Sequence, residues 1–167
     1  INAKFLPRLK AAVEQNALLR IGWTGSGEEV PKNGEVGLCP GIPEGARIKA
    51  LGKLGSWTSS FGAGGKFSVE GEVGSFFGAY NNGSTVTSTG FIGRCGGFMM
   101  QEGTLIGSDG AGTDLGMFMS DGMVYVQGQV GARLGNGMDG GIIIIQGDVE
   151  EDAGIGMKGG RIVIEGR

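Results

Sequence analysis

From Gly45 onward the sequence can be written in rows of 19 residues, and the rows align to the last residue without a gap. Gly52, Gly71, Gly90, Gly128, Gly147 and Gly166 share one column, interrupted only by Asp109. Gly55, Gly74, Gly93, Gly112 and Gly131 form a second, broken by Glu150, and Gly78, Gly97, Gly116, Gly135 and Gly154 form a third. Apolar residues keep the same beat, with Ile48, Phe67, Val86, Leu105, Val124, Ile143 and Ile162 in one column and Leu54, Val73, Ile92, Ala111, Val130 and Val149 in another. A fixed period of this length marks a chain built from stacked, near-identical units.

Two places after the first apolar column lie Ala50, Val69, Ser88, Gly107, Val126, Ile145 and Ile164. Spacing of two puts both columns on one face of a strand. Each row therefore opens with a short strand, for example over Arg161 to Glu165 or Met123 to Gln127. A helix does not fit, because glycine recurs every few residues and each costs roughly 1 kcal/mol in a helix interior. A single row has no backbone partner, so it pairs with the next row in register and in the same direction. The fold class that follows is all-β, a right-handed single-stranded parallel β-helix with 19-residue coils spanning residues 45–167.

In such a coil each column becomes a ladder at roughly 4.8 Å spacing. Asn81, Met100, Met119, Met138 and Met157 form one such ladder, read as a flexible filler of a core corner rather than as ligands. The glycine columns supply sharp corners and close approach between coils. Gly110-Ala111-Gly112 and Gly135-Asn136-Gly137 could cradle a phosphate only if a helix followed, and no helix pattern does.

Residues 1–44 lack the repeat. Residues 6 to 20 read as a short amphipathic helix, with Leu6, Leu9, Ala12, Val13 and Ala17 apolar and Pro7 near its first turn. The stretch from Gly22 to Gly45 is loop-rich, and Gly34-Glu35-Val36-Gly37 reads as a degenerate row one residue out of step. The segment is expected to be a helical arm and loop-rich cap over one end of the solenoid. At the other end the chain stops at Arg167, directly after a strand, so that end is expected to be covered by more chain, a second copy or a partner subunit.

Composition narrows the function. Net charge is −3, from 14 basic and 17 acidic residues spread along the chain, which argues against a nucleic-acid or anionic-membrane partner. No apolar run approaches the roughly 18 residues of a spanning helix, and no signal-peptide pattern opens the chain, so a cytoplasmic protein is expected. Cys39 and Cys95 are too few for a disulfide framework and are expected to be reduced thiols. Histidine is absent, which removes the commonest general base and the commonest transition-metal ligand.

The last two rows, GQVGARLGNGMDGGIIIIQG and DVEEDAGIGMKGGRIVIEG, resemble the glycine-repeat (GXGXG) β-helix family. That family includes the C-terminal domain of the glutamate synthase large subunit and the β-helical subunit of formylmethanofuran dehydrogenases. The shared pattern is valine or alanine, glycine, three residues, glycine, two residues, methionine, one residue, two glycines and an aliphatic strand. The resemblance is good over Gly122 to Gly166 and recognisable back to Gly64, while Thr85 to Thr89 and Gly107 depart from the aliphatic strand. It implies a non-catalytic structural or assembly module of an oxidoreductase complex, with catalytic subunits as partners. The alternative is a free-standing β-helix binding protein that self-assembles into a homo-oligomer through its open ends.

No residue is assigned a catalytic, cofactor-binding or metal-ligating role. Asp114, Arg133 and Asp152 fall one period apart and are expected to form a surface ladder of alternating charge, with Gln127, Gln146 and Glu165 a similar polar ladder. The acidic run Asp148, Glu150, Glu151 and Asp152 lacks the nine-residue beat of repeat-based calcium sites. Glu102 and Asp121 are the nearest thing to a glycosidase carboxylate pair, but both fall beside glycine corners, so a glycosidic site is not expected.

Overall fold

A computed structural model describes residues 2–22 and 31–167. Among these residues, one helix, α1 (Asn2–Glu14), is followed by eight short strands: β1 (Leu19–Ile21), β2 (Arg47–Leu51), β3 (Lys66–Glu70), β4 (Asn82–Ser88), β5 (Glu102–Gly107), β6 (Met123–Val126), β7 (Ile142–Ile145) and β8 (Arg161–Ile164). All pair in parallel, and their order in the sheet is their order in the chain. The result is an all-β parallel solenoid of about six turns with one short N-terminal helix.

The register confirms the period. Ile48 lies against Phe67, Phe67 against Val86, Val86 against Leu105, and so on to Ile143 against Ile162, always 19 residues apart. A second line of single-residue bridges runs Val73, Ile92, Ala111, Val130, Val149. The inward columns make one continuous core, with Val86, Leu105, Val124 and Ile143 wholly shielded from solvent. Met100, Met119 and Met138 are equally buried, so the methionine ladder is core filling.

The rows that depart from the aliphatic pattern compensate locally. Ser88 points inward, and its hydroxyl, which has one proton to donate, lies 3.0 Å from the carbonyl oxygens of both Gly71 and Gly90. Asn81 takes the methionine position and closes a loop on Ser84, accepting its N–H at 2.9 Å and donating to its carbonyl at 2.7 Å. Ser84 in turn donates to the Gly64 carbonyl. These buried polar atoms are thereby satisfied, which an apolar shell requires, while the buried Ser59 hydroxyl is left without a partner.

The N-terminal arm differs from expectation in three respects. The helix covers Asn2–Glu14 rather than residues 6 to 20, with Pro7 inside it. It ends because Asn16 turns left-handed, at φ 50°. Ala17 N–H then bonds to the Ala12 carbonyl at 2.8 Å and Asn16 N–H to that of Val13 at 3.1 Å. Those two bonds are a Schellman stop. The chain emerging from it becomes β1, whose Leu19 pairs with Ile48, 29 residues on, so the sheet begins well before Gly45. Finally, Glu35 bridges Leu54, in step with the 19-residue period rather than one residue out, and leaves Val36 66% exposed. The part of the loop-rich stretch over residues 23–30 lies outside the described residues. The helix packs onto the solenoid through Phe5 and Leu9, both in the core cluster. At the other end the core columns surface: β8 reads exposed, half-buried, half-buried, exposed, where β6 and β7 alternate exposed with buried.

Candidate functional site: an aromatic corner continued by charge

After each single-residue bridge the coil turns through a segment in which every second residue is left-handed. The positions are 57, 59 and 61, then 76, 78 and 80, and so on in steps of 19 to 152, 154 and 156, with φ between 51° and 73°. The middle position is glycine in five of these six coils, where the left-handed backbone carries no steric cost. The outer two are mostly not glycine, so the corner needs compensation. Hydrogen bonds supply it. The first and third residues donate to the following coil, as Phe76 N–H does to Arg94 and Tyr80 N–H to Phe98, while the middle one, Gly78, donates back to Thr58. From residue 57 to residue 137 each left-handed residue of the corner is thus pinned from one side by a neighbouring coil; Asp152 and Gly156, in the last coil, make no such bond among the described residues.

What those positions display changes along the axis. The first coils show aromatic rings. Trp57 stacks on Phe76 with centroids 4.3 Å apart, and Phe61 on Tyr80 at 5.0 Å, both pairs within 6° of parallel. Phe98 meets Phe76 and Tyr80 edge-on, each at 5.6 Å, and Phe118 continues the line at 6.2 Å from Phe98. Phe61 is 54% exposed and Phe118 46%. Stacked rings spend their faces on one another and offer mainly edges outward. Such a surface suits packing against apolar protein side chains better than flat-on stacking of a sugar or base.

The next coils replace rings with charge in the same column. Asp114 is buried, and Arg133 grips it with two bonds, Nε to Oδ1 at 2.9 Å and the terminal nitrogen to Oδ2 at 2.6 Å. Asn136 adds a long bond at 3.4 Å, and Arg94 stands 3.8 Å away. The Arg133 bonds, with lesser help from Asn136 and the two guanidinium charges, hold the Asp114 carboxyl below the usual carboxylate range against the cost of its burial. Of the expected ladder, Asp114 and Arg133 are therefore an ion pair, while Asp152 is exposed and acts on Arg133 only through space. Cys95 sits one coil before Asp114; burial first, then the neighbouring carboxylate, pushes its thiol up. Neither Cys95 nor Cys39 is in a disulfide.

Several of the remaining sequence candidates are tied up in the scaffold. In the acidic run, Glu150 accepts the Ala132 N–H at 3.1 Å and Asp148 that of Arg167 at 2.9 Å. The glycine-rich 135–137 segment has no N–H to offer a phosphate: those of Gly135, Asn136 and Gly137 go to Leu115, Arg133 and Ile155. Gln146 donates to Glu165 at 3.2 Å, one rung of the expected polar ladder. Glu102 and Asp121 border one shallow groove, in which Asp121 accepts the Gly122 N–H at 2.7 Å. Elsewhere, α1 and the segment Cys39 to Pro43 enclose an apolar hollow of about 400 Å³.

No family model, curated protein or solved structure matches this chain. Among the described residues no helix is long and apolar enough to cross a membrane, and no group of three or more cysteine and carboxylate residues is placed to hold a metal ion. The aromatic corner has a trace in the sequence, since Trp57 and Phe76, and Phe61 and Tyr80, stand one period apart; the ring columns are shorter than the glycine columns and give a weaker periodic signal.

Proposed function

We propose that this chain is a non-catalytic structural and assembly module of a larger cytoplasmic enzyme, an oxidoreductase complex of the kind the glycine-repeat resemblance implies, and that it docks its protein partner through the aromatic corner. The observation that carries the reading is the exposure of rings held rigidly in line: Phe61, Phe118 and the half-buried Trp57, Phe76 and Tyr80. Aromatic residues flanked by arginine are the usual anchors of protein interfaces, and here Arg94 and Arg133 continue the corner. The backbone holding them is bonded to both neighbouring coils, so little order is lost on docking.

The test is native purification, with the mass of the assembly measured by light scattering and its members by mass spectrometry. Catalytic subunits are expected to co-purify, and to be lost when Phe61 and Phe118 are replaced by serine. A second reading, a self-assembling β-helix without an enzyme partner, draws on the same exposed corner. A bare homo-oligomer in that experiment would displace the assembly reading in its favour.

A further inference from the structure

We propose that the outer face of β2–β4 binds a phosphate-sized oxyanion, free or as the phosphate group of a small ligand. Several charges on this solenoid pair with their opposites: Lys49 with Glu70, Lys53 with Glu72 at 2.8 Å, and Arg133 with Asp114. Cation faces cation on two neighbouring rungs of the sheet, but at Arg20 and Lys49 the lysine is neutralised by Glu70. Arg47 and Lys66 lie directly opposite each other in neighbouring strands, an arrangement that is repulsive unless something neutralises it. Neither has an ion pair among the described residues, and Arg47 makes only a long 3.5 Å bond to the Asn16 carbonyl.

The groups beside the two cations are donors. Thr85 continues the same column on β4, and Ser68 and Thr87 stand next to it on β3 and β4. No hydroxyl of the three has a protein partner among the described residues. A hollow of about 230 Å³ is bounded by Arg47, Lys66, Ser68, Thr85 and Thr87, with Leu18 at its rim and no carboxylate in its lining. Glu44 and Glu102 border the neighbouring groove on the other side of Arg47 and Lys66, so the anion enters from the sheet face. Farther along, the same column runs through Thr104 to Met123 and Ile142, both 40% exposed, before Arg161, so two cations stand side by side only in the early coils. Two cations and three hydroxyls border one small hollow, with Ile48 and Phe67 beneath them, and supply the charge and the donors that an oxyanion takes.

The experiment is a titration of the ¹⁵N-labelled chain with inorganic phosphate, and separately with phenyl phosphate, at constant ionic strength held with chloride. Saturable amide shifts are expected at Ser68, Thr85 and Thr87, with millimolar affinity that weakens about tenfold in Arg47→Gln and in Lys66→Gln. Both side chains are exposed, so the variants keep the parent spectrum elsewhere. Equal affinity for the two probes assigns the site to the oxyanion alone, and tighter phenyl phosphate assigns it to a phosphomonoester whose body reaches Leu18. Shifts that fail to saturate, or that are unchanged in both variants, overturn the proposal.

Discussion

The column of Gly52, Gly71, Gly90, Gly128, Gly147 and Gly166 invites a comparison within one structural position. At Gly128 an added Cβ would land on the carbonyl oxygen of Asp109, the one residue that breaks the column in the coil before it. Reaching ordinary van der Waals separation would need a backbone displacement of roughly 2 Å. The displaced segment runs into Val130, which is fully buried and hydrogen-bonded to Asp148. Overpacking of this kind costs about 3 kcal/mol, which for a chain this size lowers Tm by roughly 6–12 °C. At Gly52 nothing lies within 4 Å of the added atom, and the penalty is confined to its φ of +126°. Such strain is worth about 1–2 kcal/mol, and part is offset by the lower entropy of the unfolded alanine chain, leaving a Tm decrease of roughly 2–4 °C. Thermal unfolding of Gly128→Ala and Gly52→Ala followed by circular dichroism measures both. Equal decreases, or the larger one at Gly52, would refute the idea that the preceding coil's carbonyl is what demands glycine.

Asp114→Asn is expected to lower the urea midpoint at pH 7. Because the folded carboxyl titrates below its unfolded value, the stability it contributes is present above that value and lost as pH falls through the folded pKa; the gap to the parent should close below about pH 4. In a Cys39→Ser background, Cys95 should alkylate more slowly than glutathione at pH 8, and adding Asp114→Asn should speed it, since the carboxylate is the second cause of its raised pKa. An unchanged rate would remove Asp114 from that role. Met138→Ala should cost about 3 kcal/mol and Met157→Ala about 1, as the first is wholly buried and the second half-buried, with chemical denaturation as the readout.

The coils were legible because their determinants repeat. Strands expected over Arg161 to Glu165 and Met123 to Gln127 occur at Arg161–Ile164 and Met123–Val126, fixed by alternation that recurs in every row. The first coil was not legible, because β1 has only Leu19, Arg20 and Ile21 and follows directly on a helical pattern; what separates the two is the left-handed turn at Asn16, a choice open to asparagine but not imposed by it. The corner was half legible. Its glycine column announced a turn, but nothing in Trp57, Phe76 or Phe118 marks a residue that takes positive φ, since aromatic residues seldom do. Those conformations are imposed by hydrogen bonds to coils 18 residues away, such as Trp57 to Ser75, which single-residue preference does not register. The Asp114 and Arg133 pair followed from spacing, but its depth did not, because burial there depends on the coils above and below.

The sequential strand order also sets how the molecule would respond to load. Among the described residues no strand returns to close the sheet, so tension applied across the solenoid meets no shear clamp between first and last coils. The weakest terminal rung gives way first and hands the load to the next, each release freeing one 19-residue turn, or about 60 Å of extended chain. A protein built in this way yields in small equal steps and keeps its remaining length intact, so a partner held on the middle coils stays held while the ends are lost.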